Sequence, residues 1–205
     1  MLLKIHKSIL ERFLNSLSKI SDQGIVKIDK NNITSIVNSA DNTCILYAEY
    51  KGDFNVQKSL NIPDLKRLSR ILESVGSNEI ELKINSNNLS YNSTDFKFKY
   101  HLYDDSFLTP PSIKVDKIKS FETDFTFTLD KADFNKIIKT STFSTESNKL
   151  YFHLENGEVL CELTDKATQN VDSYSLKVGK IVSGTELKSI PLNFENFKLI
   201  NNFTD

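Results

Sequence analysis

The chain of 205 residues has no tryptophan, two cysteines, four prolines, six glycines and no excess of charge of either sign. Cys44 and Cys161 are too few for a disulfide framework or a four-ligand metal site, and both sit in alternating apolar segments that make them buried thiols. So little proline and glycine excludes a linker-rich or collagen-like chain. Lys and Arg number 26 against 27 Asp and Glu, a net charge of −1, which excludes a protein that clings to nucleic acid by bulk positive charge. Long hydrophobic runs are missing as well. The opening MLLKIHKSILERFLNSL breaks its apolar positions with Lys4, Lys7, Glu11 and Arg12, so it has no signal-peptide core, and no segment approaches a membrane span. The expectation is an intracellular, cytoplasmic protein with no membrane partner. What the chain does hold is apolar material, 14 Phe and 7 Tyr among 39% hydrophobic residues, enough for a core and contrary to disorder.

Catalytic constellations are lacking too. His6, His101 and His153 are isolated, with no His or Cys at metal-ligand spacing. The phosphate-cradling glycine loops and the G-x-S-x-G elbow do not occur. Asp104 and Asp105 lie in a turn-rich stretch, where a solvated turn explains the pair. The sequence therefore reads as a non-enzyme with no cofactor and no metal.

Periodicity orders what remains. Ile9, Leu10, Phe13, Leu14 and Leu17 fall at helical spacing between Lys7 and Ile20, opposite Ser8, Arg12, Asn15 and Lys19. Extended segments at 24–29, 33–39, 43–50 and 53–60, parted by Asn, Asp and Gly, predict a meander. Pro63 is expected to open a second helix with Leu65, Leu68 and Leu72 on one side and Lys66, Arg67 and Arg70 on the other. Strands follow at 79–84, 88–92 and 95–103. The stretch 104–122, with Thr109, Pro110 and Pro111, disfavours helix and buried strand alike and reads as a linker. The pattern then restarts: a strand at 123–129, a helix at 131–143 capped by Asp130, strands at 149–155, 158–164, 171–182 and 186–192, and a short helix capped by Asn193. Residues 1–103 and 123–205 are thus two domains sharing the order strand, helix, four strands, helix, an internal duplication in an α+β chain. The first continues for three further strands that the second lacks, so the second domain is expected to be truncated or completed another way.

The charges are segregated. The three main helices carry Lys7, Arg12, Lys19, Lys66, Arg67, Arg70, Lys131, Lys136 and Lys139 against Glu11, Asp64, Glu73, Asp130 and Asp133, a net of +4, which leaves −5 for the rest. One basic helix face ordinarily only solvates the outside of a protein. Three of them, repeated by duplication, point to a shared surface for a polyanion, with duplex DNA the leading candidate. No aromatic residue sits on these polar faces, which weakens a base-stacking, single-strand reading.

The segment order, the duplication, the Pro-containing linker and the stretches LNIPDLKRLSRIL and LDKADFNKIIKTSTF resemble a DNA polymerase sliding clamp. The likeness is greatest to the two-domain processivity factors of large tailed bacteriophages, with the eukaryotic proliferating cell nuclear antigen more distant. The resemblance implies a DNA clamp fold, an outer layer of sheets with helices on the inner face. It implies a closed head-to-tail homotrimer, with candidate edges at 95–103 and 171–182. It places Arg12, Lys19, Lys66, Arg67, Arg70, Lys136 and Lys139 against the phosphates of duplex DNA without sequence readout. It implies a DNA polymerase and an ATP-driven clamp loader as partners, docking by a peptide in a pocket lined by Val37, Cys44, Leu46 and Leu108. The competing reading is a β-rich phage virion or assembly protein whose helix charges merely solvate its exterior. A monomeric polymerase accessory factor that binds DNA directly is a third.

Overall fold

Turn chemistry and alternation cut the first half of the chain into β1 (Leu2–His6), α1 (Lys7–Ser18), β2 (Gly24–Ile28), β3 (Asn32–Asn38), β4 (Ile45–Lys51), β5 (Lys58–Ile62), α2 (Leu65–Glu73), β6 (Glu79–Ile84), β7 (Asn88–Asn92), β8 (Lys97–His101) and α3 (Val115–Lys119). The second half holds β9 (Thr126–Thr128), α4 (Lys131–Thr140), β10 (Lys149–Glu155), β11 (Glu158–Leu163), β12 (Tyr174–Lys177), β13 (Lys180–Ser183), β14 (Ile190–Asn193) and α5 (Phe194–Leu199). The computed structural model describes residues 1–143 and 148–200; segments 144–147 and 201–205, both inside the expected second domain, lie outside the described residues. Two compact units divide the chain, Met1–Ser120 and Phe121–Asp205.

In the first unit two antiparallel four-stranded sheets run in the orders β4-β3-β2-β5 and β1-β6-β7-β8. Strict alternation builds them: Leu3 and Ile5 of β1, Val26 and Ile28 of β2, and Ile80, Leu82 and Ile84 of β6 all turn to the core. Against them lie α1, burying Leu10, Phe13, Leu14 and Leu17, and α2, burying Leu65, Leu68, Ser69 and Leu72. Each fully buried Leu contributes about 1.5–3 kcal/mol of transfer free energy, so these two stripes hold the helices to the sheets. Gly24 marks the closest approach: a Cβ there would meet Val37 Cγ1 at 3.1 Å and Leu65 Cδ1 at 3.3 Å. At the matching hairpin position of the second unit stands Leu150, directly opposite Leu163.

The second unit repeats the first sheet order with β12-β11-β10-β14. Its core is aromatic: Phe134 of α4 stacks on Phe197 of α5 with ring centroids 4.9 Å apart, and Phe127 and Phe152 close the layer at 5.1 Å. Here the duplication departs from itself. In the first unit β1 pairs with β6, whereas in the second β9 pairs with β13.

Several sequence expectations are corrected. Segment 171–182 is two strands rather than one: β12 pairs with β11 and β13 with β9, and Gly179, at φ +69, stands at the break between them. In the expected strand 53–60 only the end is extended; Phe54 and Val56 are buried from a loop whose backbone is held by Phe54 N–H donating to Lys30 O at 2.8 Å. Strand β14 starts at Ile190 rather than Glu186 and tolerates Pro191 as an edge strand does. Pro63 precedes the helix rather than opening it, since the Asp64 carboxylate accepts from Arg67 N–H at 2.7 Å and is itself the cap. Within the stretch 104–122 one helical turn forms, α3, with Val115 and Ile118 half-buried on one side.

Candidate nucleic-acid interface and peptide crevice

Helices α1 and α2 pack against each other, which brings their polar faces to one side of the first unit. Arg12 and Lys19 from α1 and its C-cap, and Lys66, Arg67 and Arg70 from α2, are all exposed. Their spacing follows from the buried leucines: positions 66, 67 and 70 fall away from 65, 68 and 72 on a 3.6-residue turn. Carboxylates nearby are few. Asp64 is occupied as the cap of α2, and Glu73 is exposed at its far end. Lys7, counted among the helix cations, does not join this face: its Nζ donates to Val75 O at 2.7 Å and lies 3.9 Å from Glu11, whose carboxylate is half-buried. That pair neutralises itself inside the unit. Lys19 also borders a depression with Asp22, Gln23 and Ala40 at the end of α1.

On α4 of the second unit Lys136 and Lys139 are likewise exposed. Lys136 is bound 3.0 Å from Asp133, and the Asp133 carboxylate also accepts from Gly179 N–H at 2.9 Å. That backbone bond, with the Lys136 ammonium, holds the Asp133 carboxyl below its usual range. On α5 Lys198 pairs with Glu195 at 2.7 Å. The second helix pair is therefore close to balanced, and the first is strongly positive.

The proposed pocket residues are only partly brought together. Val37 and Leu108 line one crevice of about 330 Å³, between β2–β3 and the segment 107–111, together with Ile25, Ile36, Pro110 and Pro111. The segment is tied down beside it: Tyr103 N–H donates to Asn61 O at 2.9 Å, and the Asn61 amide donates to Asp105 at 2.8 Å. Leu46 stands directly opposite Val37 in the β3–β4 ladder but does not line the crevice. Cys44 lies in the β3–β4 hairpin, where its N–H donates to Ser39 Oγ at 3.0 Å, and it does not line the crevice either. The sequence reading of both thiols as buried holds for Cys161, whose pKa burial pushes up to about 12, but Cys44 is half-buried. The residues that sequence reasoning missed, Ile25, Ile36 and the two prolines, carry a signal in retrospect. Ile25 and Ile36 sit on the face of their strands opposite the core positions Val26 and Val37, and solvent-side isoleucines in a meander call for a cover.

The strands named as candidate edges are edges: β8 ends one sheet and β12 another. Strand β8 presents Lys97, Lys99 and His101 to solvent, charges that discourage unselective pairing. Among the described residues no group of His, Cys, Asp and Glu could hold a metal ion, and no helix is long and apolar enough to cross a membrane.

No family model matches this chain, and no curated protein matches it in sequence. Solved structures do. PCNA of A. fulgidus, bound to the C-terminal region of FEN-1, superposes with a TM-score of 0.73 at 15% identity, covering 97% of this chain and 82% of that one. The DNA polymerase III subunit beta from Pseudomonas aeruginosa gives 0.70 at 13% identity, covering 98% of this chain. The Helicobacter pylori beta clamp bound to a DNA ligase peptide gives 0.65 at 15%, again covering 98%. The chain spans 57% and 58% of the length of those two bacterial proteins. The fold of this chain is the sliding-clamp fold.

Proposed function

We propose that this protein is a non-enzymatic sliding clamp that encircles duplex DNA as a closed homotrimer, tethers a DNA polymerase for processive synthesis and is opened by an ATP-driven loader. The observation that carries the reading is the exposed cation face of α1 and α2, five side chains with few carboxylates among them, on a sliding-clamp fold. Arg12, Lys19, Lys66, Arg67 and Arg70, joined by Lys136 and Lys139 from the second unit, contact phosphates and no base edge. Such contacts carry no sequence information, so a ring that relies on them can translate along the duplex. Retention then comes from topology rather than affinity, which agrees with a chain whose net charge is −1. Edge strands β8 and β12 pair head to tail between subunits, a closure that covers these two sheet edges.

The crevice beside Val37 and Leu108 takes a short apolar peptide from the polymerase or the loader. Two of the similar structures hold peptides of their own partners, a FEN-1 C-terminal region and a DNA ligase peptide. The resemblance of segment order and linker to the processivity factors of large tailed bacteriophages supports a phage replicase as the polymerase to test first. Light scattering on the purified protein, run beside primer extension with that polymerase, tests the reading. A trimer that lengthens extension products supports it; a stable monomer with no effect on product length contradicts it.

A further inference from the structure

The groove that holds the crevice does not stop at Pro111. It opens into a second compartment of about 740 Å³, between the β3–β4 hairpin and the start of α3, lined among others by Asn42, Ile45, Ile113, Lys114 and Lys117. Asn38 and Pro111 line both compartments, so the two adjoin. The apolar lining runs from Ile25, Ile36 and Leu108 to Ile45 and Ile113, and no Asp or Glu lines either compartment.

The lysines of this segment divide into two kinds. Lys119 is engaged: its Nζ lies 3.4 Å from Glu49 and 5.1 Å from the centre of the Tyr47 ring, which pins the end of α3 to β4. Lys114 and Lys117 are exposed and meet no carboxylate among the described residues. Two acids of the neighbouring segments make no ion pair with them. The Asp41 carboxylate accepts from Ser39 Oγ at 2.5 Å and from the Thr43 hydroxyl at 2.8 Å, which holds it within its own hairpin, and it lines neither compartment. Asp116, exposed on α3, sits between two lysines and lines neither compartment.

We infer that the partner peptide is acidic beside its apolar anchor: the anchor fills the crevice at Val37 and Leu108, and flanking Asp or Glu residues lie against Lys114 and Lys117. This inference rests on the reading of the crevice as a peptide site. Rim charges of this kind select between partners and raise the association rate more than they deepen affinity, and their effect falls with salt.

The test uses short fluorescein-labelled synthetic peptides that share one Leu/Phe anchor at helical spacing and differ only in flanks of Asp/Glu, Ser/Gly or Lys/Arg, with affinity read by anisotropy on the whole protein. At low salt the acidic-flanked peptide is expected to bind about tenfold tighter than the neutral one, as two exposed ion pairs allow, and the basic-flanked one weaker still. The Lys114→Glu/Lys117→Glu double variant should reverse that order, and high salt should flatten it. Equal binding of all three peptides, lost in Leu108→Glu and weakened in the milder Leu108→Ala, overturns the charge inference and leaves the crevice as the peptide site. Binding of no peptide, or binding unmoved by both Leu108 variants in folded protein, overturns the crevice reading and the inference with it.

Discussion

Strand β5 of the first unit and strand β14 of the second hold the same place, at the end of a sheet beside the first strand of the meander, yet Leu60 and Ile62 are 4% and 1% exposed where Ile190 and Leu192 are 62% and 41%. The difference lies outside the strands themselves. In the first unit the chain returns after α2 through β6, β7 and β8, and its continuation bonds to β5 through Tyr103 N–H and Asn61 O. Among the described residues of the second unit no strand pairs with the outer edge of β14. The helix pairs differ in parallel. Leu65, Leu68 and the exposed cations of α2 give way to Phe194, Phe197, Glu195 and Lys198 of α5, where the one lysine is paired. Sheet order is thus fixed by hairpin turns and core alternation, which both units keep. Burial of the edge and the charge of the helix face are separate properties, and the first unit carries both.

The largest effect should come from truncating the matched edge residues. Ile62→Ala is expected to cost about 2–5 kcal/mol, as a fully buried isoleucine does, while Leu192→Ala should stay within about 0.5 kcal/mol. Urea midpoints of the two variants check this, and equal losses would break the comparison. Next in size is charge reversal. Lys66→Glu with Arg70→Glu should lower affinity for a duplex oligonucleotide by at least about tenfold and reduce the salt slope by about 1.8, the share of two phosphate contacts. The matching pair Lys136→Glu and Lys139→Glu should reduce the slope by less, because Asp133 already holds Lys136. A larger loss from the second pair would place the DNA-facing charge in the wrong unit.

A smaller change is expected at the caps, where the units agree. Asp64 and Asp130 each accept from the backbone N–H three residues on, at 2.7 and 2.8 Å, so Ala at either position should cost about 1 kcal/mol by thermal or urea unfolding. Unequal costs would show that the shared geometry is not a shared device. The smallest effect concerns pH. Asp133 has a lowered pKa in the folded chain, first from Gly179 N–H and then from Lys136. Its contribution is complete above the unfolded value near pH 3.9 and is lost as pH falls through the lower folded value. Asp133→Asn should therefore be less stable at neutral pH and lose less on acidification, a flattening visible in urea midpoints between about pH 5 and pH 2.

Much of this was legible in the residues themselves. The stripes Leu10, Phe13, Leu14, Leu17 and Leu65, Leu68, Leu72 announce α1 and α2, and apolar runs bounded by turn residues give β6, β7 and β10 to the residue. What stayed hidden depends on distant partners or on single backbone torsions. Phe54 and Val56 alternate like a strand but are buried from a loop, and Gly179 interrupts a run of strand-like residues with one positive φ. The seven cations named for DNA are all exposed, but periodicity could not tell that Lys7, one turn from them, bonds inward to Val75 O. All four pocket residues were named from the family resemblance, and of these Val37 and Leu108 line the crevice. Cys44 and Leu46, in and beside the β3–β4 hairpin, do not line it, a placement that strand pairing decides and sequence alone does not show.

Retention on closed against open DNA tests the central claim most directly. The protein is loaded by its ATPase onto a nicked circular plasmid, filtered at high salt to strip direct binding, and the plasmid is then cut once. An encircling protein stays with the circle through the salt wash and leaves within the time of linearisation. Protein that washes off the circle as readily as off the linear form, or that remains on the linear DNA after cutting, would contradict encirclement.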